Sequence, residues 1–233
     1  MRNRTERPLL GICFLLTFIF GTLNLHAENG RKLSSLEQSM VQQSMVDVST
    51  MDRSLLIDLR YATTNNFTKK VLYDSLNLVY LHPVAAKKLV KAHDILKKSH
   101  PDYRLLVFDG ARPLRVQKKM YAVVQNTPYA AYVANPSRTG LHNYGMAVDL
   151  SICNSKGEEL DMGTEFDFFG AAAGINKEEE LVSRGVLTRQ QVENRKLLRK
   201  VMVEADFLTI RGEWWHFNAV SLTTARNNYK VID

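Results

Sequence analysis

The sequence predicts an α+β fold in which helices pack on a small, mainly antiparallel sheet. Two long stretches carry apolar residues at helical spacing, and several short apolar runs end in turn residues. The two kinds of segment do not follow the regular strand–helix–strand order that a parallel sheet needs. The chain has 233 residues, which after loss of a leader suffices for one domain with a substantial core and falls short of two.

Taken in order, residues 1–27 read as a secretory signal peptide. Arg2, Arg4 and Arg7 precede the apolar run "LLGICFLLTFIFGTLNL", and Ala27 stands before Glu28. Leu25 occupies a place where cleavage favours a small residue, so an uncleaved N-terminal membrane anchor is the alternative. Either way the expectation is export, to the periplasm. With the leader go three arginines and one glutamate, so the net charge falls from +7 to +5. That moderate excess suits anionic surroundings such as wall polymers or lipid head groups. It does not suit nucleic acid, because the lysines are scattered over helices such as "AAKKLVKAHDILKKSH" with no basic arm or stacking motif. Of the 2 cysteines only Cys153 follows the leader, which excludes an intrachain disulfide in the mature chain.

Residues 28–50 are polar and weakly periodic, and read as a mobile linker with room for a short helix. The catalytic domain is expected over 51–233. "SLLIDLRYAT" alternates as a strand does, and "NNFTKKVLYDS" is loop-like. In "HPVAAKKLVKAHDILKKSH", Val84, Ala85, Leu89, Ala92, Ile95 and Leu96 share a helical face opposite the lysines, with Pro83 suited to the first turn. "YRLLVFDGARP" is a buried strand stopped by Asp-Gly and Arg-Pro, "LRVQKKMYAVVQN" a helix, and "GMAVDLSIC" a strand after a glycine turn. "DMGTEFDFFGAAAG" is an aromatic loop, "RQQVENRKLLRKVMVEADF" a second long helix, and "FLTIRGEWWHFNAV" a final strand.

Five histidines follow the leader. His82, His93 and His100 belong to the lysine-rich helix and read as surface or capping residues. His142 and His216 differ, because each flanks a predicted strand beside an acidic group, and an unpaired charge is costly to bury. His142 precedes Asp149 by seven residues, so it must sit on the turn before the strand from which Asp149 projects, with Gly145 bending the chain between them. Glu213 and His216, three apart, cannot share a strand face without a bulge or a helical turn. For His142 and Asp149 alone, a structural hydrogen-bonded pair is as good a reading as a pair of metal ligands. Together the two clusters offer two histidines and one carboxylate, which leaves a position on zinc open for water, plus a second carboxylate placed as a general base. Read this way, the chain is a mononuclear zinc hydrolase of unspecified substrate.

The blocks "DLRYATTNNFT", "DGARP", "HNYGMAVDL", "MGTEFDFF", the "NR…L…M…F" helix and "EWWHF", in this order from about Asp58 to Phe217, resemble the zinc D-alanyl-D-alanine dipeptidases. The resemblance implies the D-Ala-D-Ala metallopeptidase (hedgehog-like) fold and one zinc ion per chain held by His142, Asp149 and His216. It implies Glu213 as catalytic base, Arg112 as oxyanion stabiliser and Asp167 as the partner of the substrate ammonium, with Tyr61 and Asn66 lining the pocket. The implied substrate is D-Ala-D-Ala or a related dipeptide, and no partner protein is evident. The alternatives are a D,D- or L,D-carboxypeptidase acting on longer wall peptides, and a catalytically idle wall-peptide-binding module. This chain departs from the family pattern where two serines that help receive the substrate carboxylate precede the zinc histidine: Gly140 and Leu141 stand there, leaving the task to backbone amides, Ser137, Arg138 or Thr139. Ala111 replaces a tyrosine of "DGYRP", and "AAAGIN" replaces a Ser-His-His run.

Overall fold

A computed structural model describes residues 32–73 and 75–233; the leader expected over 1–27 lies outside them. Helix α1 (Ser35–Gln42) opens with a reciprocal cap between Ser34 and Glu37. Strand β1 (Val46–Asp47) and the single turn α2 (Val48–Met51) follow, then β2 (Leu56–Ile57), a 3-10 turn at Arg60–Ala62, and β3 (Tyr80–Leu81). Helix α3 (Pro83–Ser99) leads to β4 (Arg104–Asp109), α4 (Leu114–Val124) and 3-10 segments at Pro128–Tyr132 and Leu141–Tyr144. Next come β5 (Ala147–Cys153), α5 (Glu178–Ser183), α6 (Arg189–Glu204), β6 (Leu208–Thr209), β7 (His216–Asn218) and α7 (Leu222–Asn228).

The expected α+β class holds. Five strands form a sheet in the order β2-β4-β5-β7-β6, antiparallel except for the β2–β4 pair, and β1 pairs with β3 in a separate ribbon. All seven residues of β5 are buried, as its central place requires. The lysine-rich α3 begins at Pro83 as predicted and buries Ala85, Leu89, Ala92 and Leu96, packing on β4 and α6.

Four expectations are corrected. The segment taken for a mobile linker is folded from Leu33 onward, in one compact unit with the rest of the domain. Leu33, Leu36, Met40, Met45 and Val48 are all buried, and burial of five apolar side chains outweighs the polar composition that suggested mobility. The strand read in "SLLIDLRYAT" shortens to two residues before the 3-10 turn. The final strand is a hairpin, with β6 and β7 paired antiparallel around the turn that holds Glu213. His93, expected at the surface, is fully buried on the inner face of α3, with Nδ1 3.1 Å from Asp52 Oδ2.

Among the described residues no helix is long and apolar enough to cross a membrane.

Candidate metal centre

His142 lies in the 3-10 turn at Leu141–Tyr144, which ends at Gly145 in the left-handed conformation (φ 65°). A Cβ at Gly145 would also meet Met45 Sδ at 2.5 Å and His82 N at 2.9 Å, so glycine is required on two counts. The reversal sends the chain directly into β5 and places Asp149 beside the imidazole. Asp149 and His216 are direct cross-strand partners of β5 and β7, and such partners share a sheet face. The question of how Glu213 and His216 cooperate is thereby answered: His216 opens β7, and Glu213 sits in the turn before it, with Oε2 3.8 Å from His216 Nδ1.

Three donor atoms converge. His142 Nε2 lies 3.2 Å from His216 Nδ1 and 3.3 Å from Asp149 Oδ2, while His216 Nδ1 lies 2.9 Å from Asp149 Oδ1. These residues form a group able to hold a metal ion. The remaining ring nitrogens face acceptors only: His142 Nδ1 is 2.7 Å from the Gly110 carbonyl, and His216 Nε2 is 2.8 Å from Asn218 Oδ1. A ring nitrogen that donates to a carbonyl oxygen keeps its own proton, so in the neutral form of each imidazole the lone pair that ligates is the one turned inward. Asn218, two residues past His216 on β7, shares its face for that reason. Gly110 approaches so closely that a Cβ there would meet Tyr80 O at 2.7 Å.

The electrostatics follow from this packing. Burial opposes ionisation of Asp149, yet the flanking His142 and His216 hold its carboxyl far below the usual range. Burial would depress His216, but the Asp149 hydrogen bond and charge, with Glu213, push it up to about 9 in the metal-free chain. Glu213 is pushed up to about 7 by burial, against the pull of His216.

A bulge between Val107 and Asp109 turns Asp109 to the same face as Asp149, opposite which it pairs. The two carboxylates are bridged by Arg112, whose Nη2 is 2.5 Å from Asp109 Oδ2 and 3.6 Å from Asp149 Oδ2. Asp109 also accepts from Tyr73 Oη at 2.7 Å. Burial disfavours the Arg112 cation, but Asp109, Tyr61, Tyr73 and Asp149 together outweigh it and hold the guanidinium pKa well above its ordinary value.

A cavity of about 340 Å³ takes in Arg112, the three candidate ligands, Glu213, Tyr61 and Asp167. On its wall Tyr61 Oη donates to the Asp167 carboxylate, 2.9 and 3.0 Å from its two oxygens. Burial lifts Asp167 to about 8, with Tyr61 opposing. Asn66 does not line this cavity. Its Nδ2 reaches the carbonyls of Arg60, Thr63 and Lys70, and its Oδ1 accepts from Thr68 N and Oγ1. Those bonds tie up the whole amide in the loop, and the residue borders a neighbouring cleft instead. Of the three side chains expected to replace the missing serines, Thr139 lines the cavity and Ser137 and Arg138 do not. Sequence reasoning passed over Asp109, read as a turn residue, and also Tyr73, Gln117 and Asn218. The one available signal was period-two spacing, which puts Asn218 on the face of His216.

The fold and site are those of a metal-dependent hydrolase, with His142, Asp149 and His216 able to hold a metal ion and the Glu213 carboxylate beside them. A family model described as D-Ala-D-Ala dipeptidase, peptidase M15, matches residues 41–232, and the chain belongs to that family of metallopeptidases. It is 31% identical over 171 residues to the D-alanyl-D-alanine dipeptidase of Escherichia coli (strain K12), covering 73% of this chain and 82% of that protein. It is 30% identical over 178 residues to the D-alanyl-D-alanine dipeptidase of Enterococcus faecium, covering 69% and 83%. A protein of the same name from Synechocystis is 28% identical over 162 residues, covering 57% and 66%.

Proposed function

We propose that this protein is an exported zinc dipeptidase that hydrolyses D-Ala-D-Ala, or closely similar D-amino-acid dipeptides, to free D-amino acids in peptidoglycan metabolism. One observation carries the reading: the His142, Asp149, His216 and Glu213 cluster faces a small cavity whose wall also carries Asp167. The leader read in residues 1–27 supports export, which favours recycling of wall fragments over depletion of a cytoplasmic precursor.

Zinc fits the donors present. Two imidazole nitrogens with fixed tautomers and one ionised carboxylate are its ordinary ligands, and each imidazole has the supporting acceptor that zinc sites use. Bound by His142, Asp149 and His216, one zinc ion per chain supplies Lewis acidity at the scissile carbonyl. The chain's own residues do the rest. Glu213 takes a proton from the attacking water and delivers it to the leaving amine nitrogen, a shuttle that its place in the cavity beside His216 allows. Arg112, a permanent cation facing the ligands, opposes the negative charge that develops on the carbonyl oxygen. Asp167 receives the substrate's free ammonium, whose charge favours the ionised carboxylate that burial alone disfavours, while Tyr61 donates to the same carboxylate. An acidic group in the cavity wall, placed to pair with a free amino terminus, favours dipeptides over the longer peptides that a carboxypeptidase would take.

The test is release of free D-alanine by the zinc-loaded protein from D-Ala-D-Ala, beside L-Ala-L-Ala and N-acetyl-D-Ala-D-Ala. Cleavage of the free D,D-dipeptide alone is the expected result. Cleavage of the acetylated peptide in preference would reassign the protein to the carboxypeptidases.

A further inference from the structure

Gln117 has no part in the chemistry described so far, yet it is 1% exposed, lines the reaction cavity and uses both ends of its amide. It lies on the inward face of α4 between Val116 and Met120, which are also buried. A methionine would fill the same space without a polar group to satisfy, so the amide must be explained by its bonds. Gln117 Oε1 accepts from Arg112 Nη1 at 2.8 Å, and Nε2 donates to the Ala134 carbonyl at 2.8 Å. The two partners fix the amide's orientation, since a guanidinium only donates and a carbonyl only accepts.

The bond matters because of how Arg112 is otherwise held. Its Nε and Nη2 both donate to the same oxygen, Asp109 Oδ2, at 2.9 and 2.5 Å. Two donors converging on one atom, with the Asp149 carboxylate 3.6 Å from Nη2 and beyond hydrogen-bond distance, leave the guanidinium plane weakly held. A third bond, from Nη1, secures it. Of the five N–H donors of an arginine, one on Nη1 and one on Nη2 then remain for the cavity. A neutral acceptor does this without adding negative charge beside Asp109 and Asp149, where charge develops in the reaction.

We propose that Gln117 is a positioning residue that fixes the plane of the Arg112 guanidinium and ties it to the cavity wall at Ala134. This rests on the oxyanion-stabilising role given to Arg112 above. A group that acts through Arg112 in the transition state lowers kcat when lost and leaves KM and metal content nearly unchanged.

The experiment is a double-mutant cycle on the full zinc-loaded protein with Gln117→Met, Arg112→Lys and the pair. It reads kcat and KM for D-Ala-D-Ala, and by calorimetry the affinity for a phosphinate analogue of the dipeptide. Gln117→Met is expected to lower kcat and phosphinate affinity by roughly 10- to 100-fold, with KM within about threefold and zinc retained. In the Arg112→Lys background the same change is expected to have little further effect. Equal losses in both backgrounds, or a lowered melting temperature with kcat and phosphinate affinity unchanged, would overturn the assignment. Gln117→Glu, which keeps an acceptor for Arg112 but opposes the Ala134 carbonyl with a negative charge, enters the same cycle if the methionine variant does not fold. Hydrolysis of D-Ala-D-Ala by the wild type decides the dipeptidase reading by itself; once it is seen, retained kcat and phosphinate affinity in the Gln117 variant overturn only the role of Gln117.

Discussion

The two ends of the cavity are built differently. At the metal end the three candidate ligands and Arg112 are each held by a partner: His142 by Gly110, His216 by Asn218, Asp149 by both imidazoles, and Arg112 by Asp109. At the rim, Tyr132 and Phe169 stack with centroids 5.2 Å apart, Tyr129 lies on the same ring at 5.3 Å, and Phe168 is 44% exposed. Geometry at the first end is set by hydrogen bonds in a buried sheet, and at the second by aromatic contacts between surface segments. The chemistry is therefore rigid and the entrance adaptable, which predicts large, kcat-type losses at one end and small, KM-type effects at the other.

The sharpest test is Glu213→Ala. It should retain zinc by elemental analysis and lose turnover by about 10²–10⁴-fold or more; a zinc-replete variant with wild-type activity would remove Glu213 from the mechanism. Next is Asn218→Ala, which leaves the His216 tautomer unsupported. Zinc affinity should fall roughly 10- to 100-fold in a competition assay with a chromophoric chelator. Because His216 carries a proton in the metal-free chain up to about pH 9, zinc uptake should also release protons near neutrality. Titration calorimetry in buffers of different ionisation enthalpy reads that release, and a buffer-independent enthalpy would contradict it.

Asp167 stands between the two regimes. Asp167→Asn should raise KM for the free dipeptide about tenfold or more, with a smaller change in kcat. It also has a stability signature. The folded chain holds this proton up to about pH 8, whereas an unfolded aspartate loses it near 3.8. The folded state therefore binds more protons between those values, and the wild type loses stability as pH rises through that window. The asparagine variant has no such proton to lose. Its melting temperature should match the wild type near pH 4 and exceed it at pH 9, and parallel curves would refute the buried neutral acid. Smallest of all, Tyr132→Ala should change KM only a few-fold and leave kcat and zinc content alone. A loss of kcat there would erase the distinction between the two ends.

The same division governs what could be read from the sequence. His142, Asp149, Glu213 and His216 announced themselves as polar residues in or beside apolar strands, where burial without a partner is too costly to be incidental. The helices α3 and α6 were legible from periodicity. Asp109 was hidden because Asp-Gly after an apolar run is an ordinary turn signal, and only the bulge after Val107 turns its carboxylate to the site. Asn66 misled for the opposite reason: a conspicuous polar residue in a matching block serves its own loop. The N-terminal segment was misjudged because Leu33, Leu36, Met40 and Met45 are diluted by glutamine and serine, and no local pattern shows that they meet the core.

The route by which the sheet supplies its ligands bears on when the site comes into being. His142 and Asp149 arrive together, as one turn and the strand that follows it. His216 and Glu213 ride on a hairpin that joins the sheet only when β7 adds to the edge of β5. A refolding chain holds half a site until that docking step, and an ion with two of its three protein donors has little to hold it. Capture of the third donor and attachment of the hairpin are then a single event, so the ion would act as a fastener for the last strands of the sheet as well as a reagent.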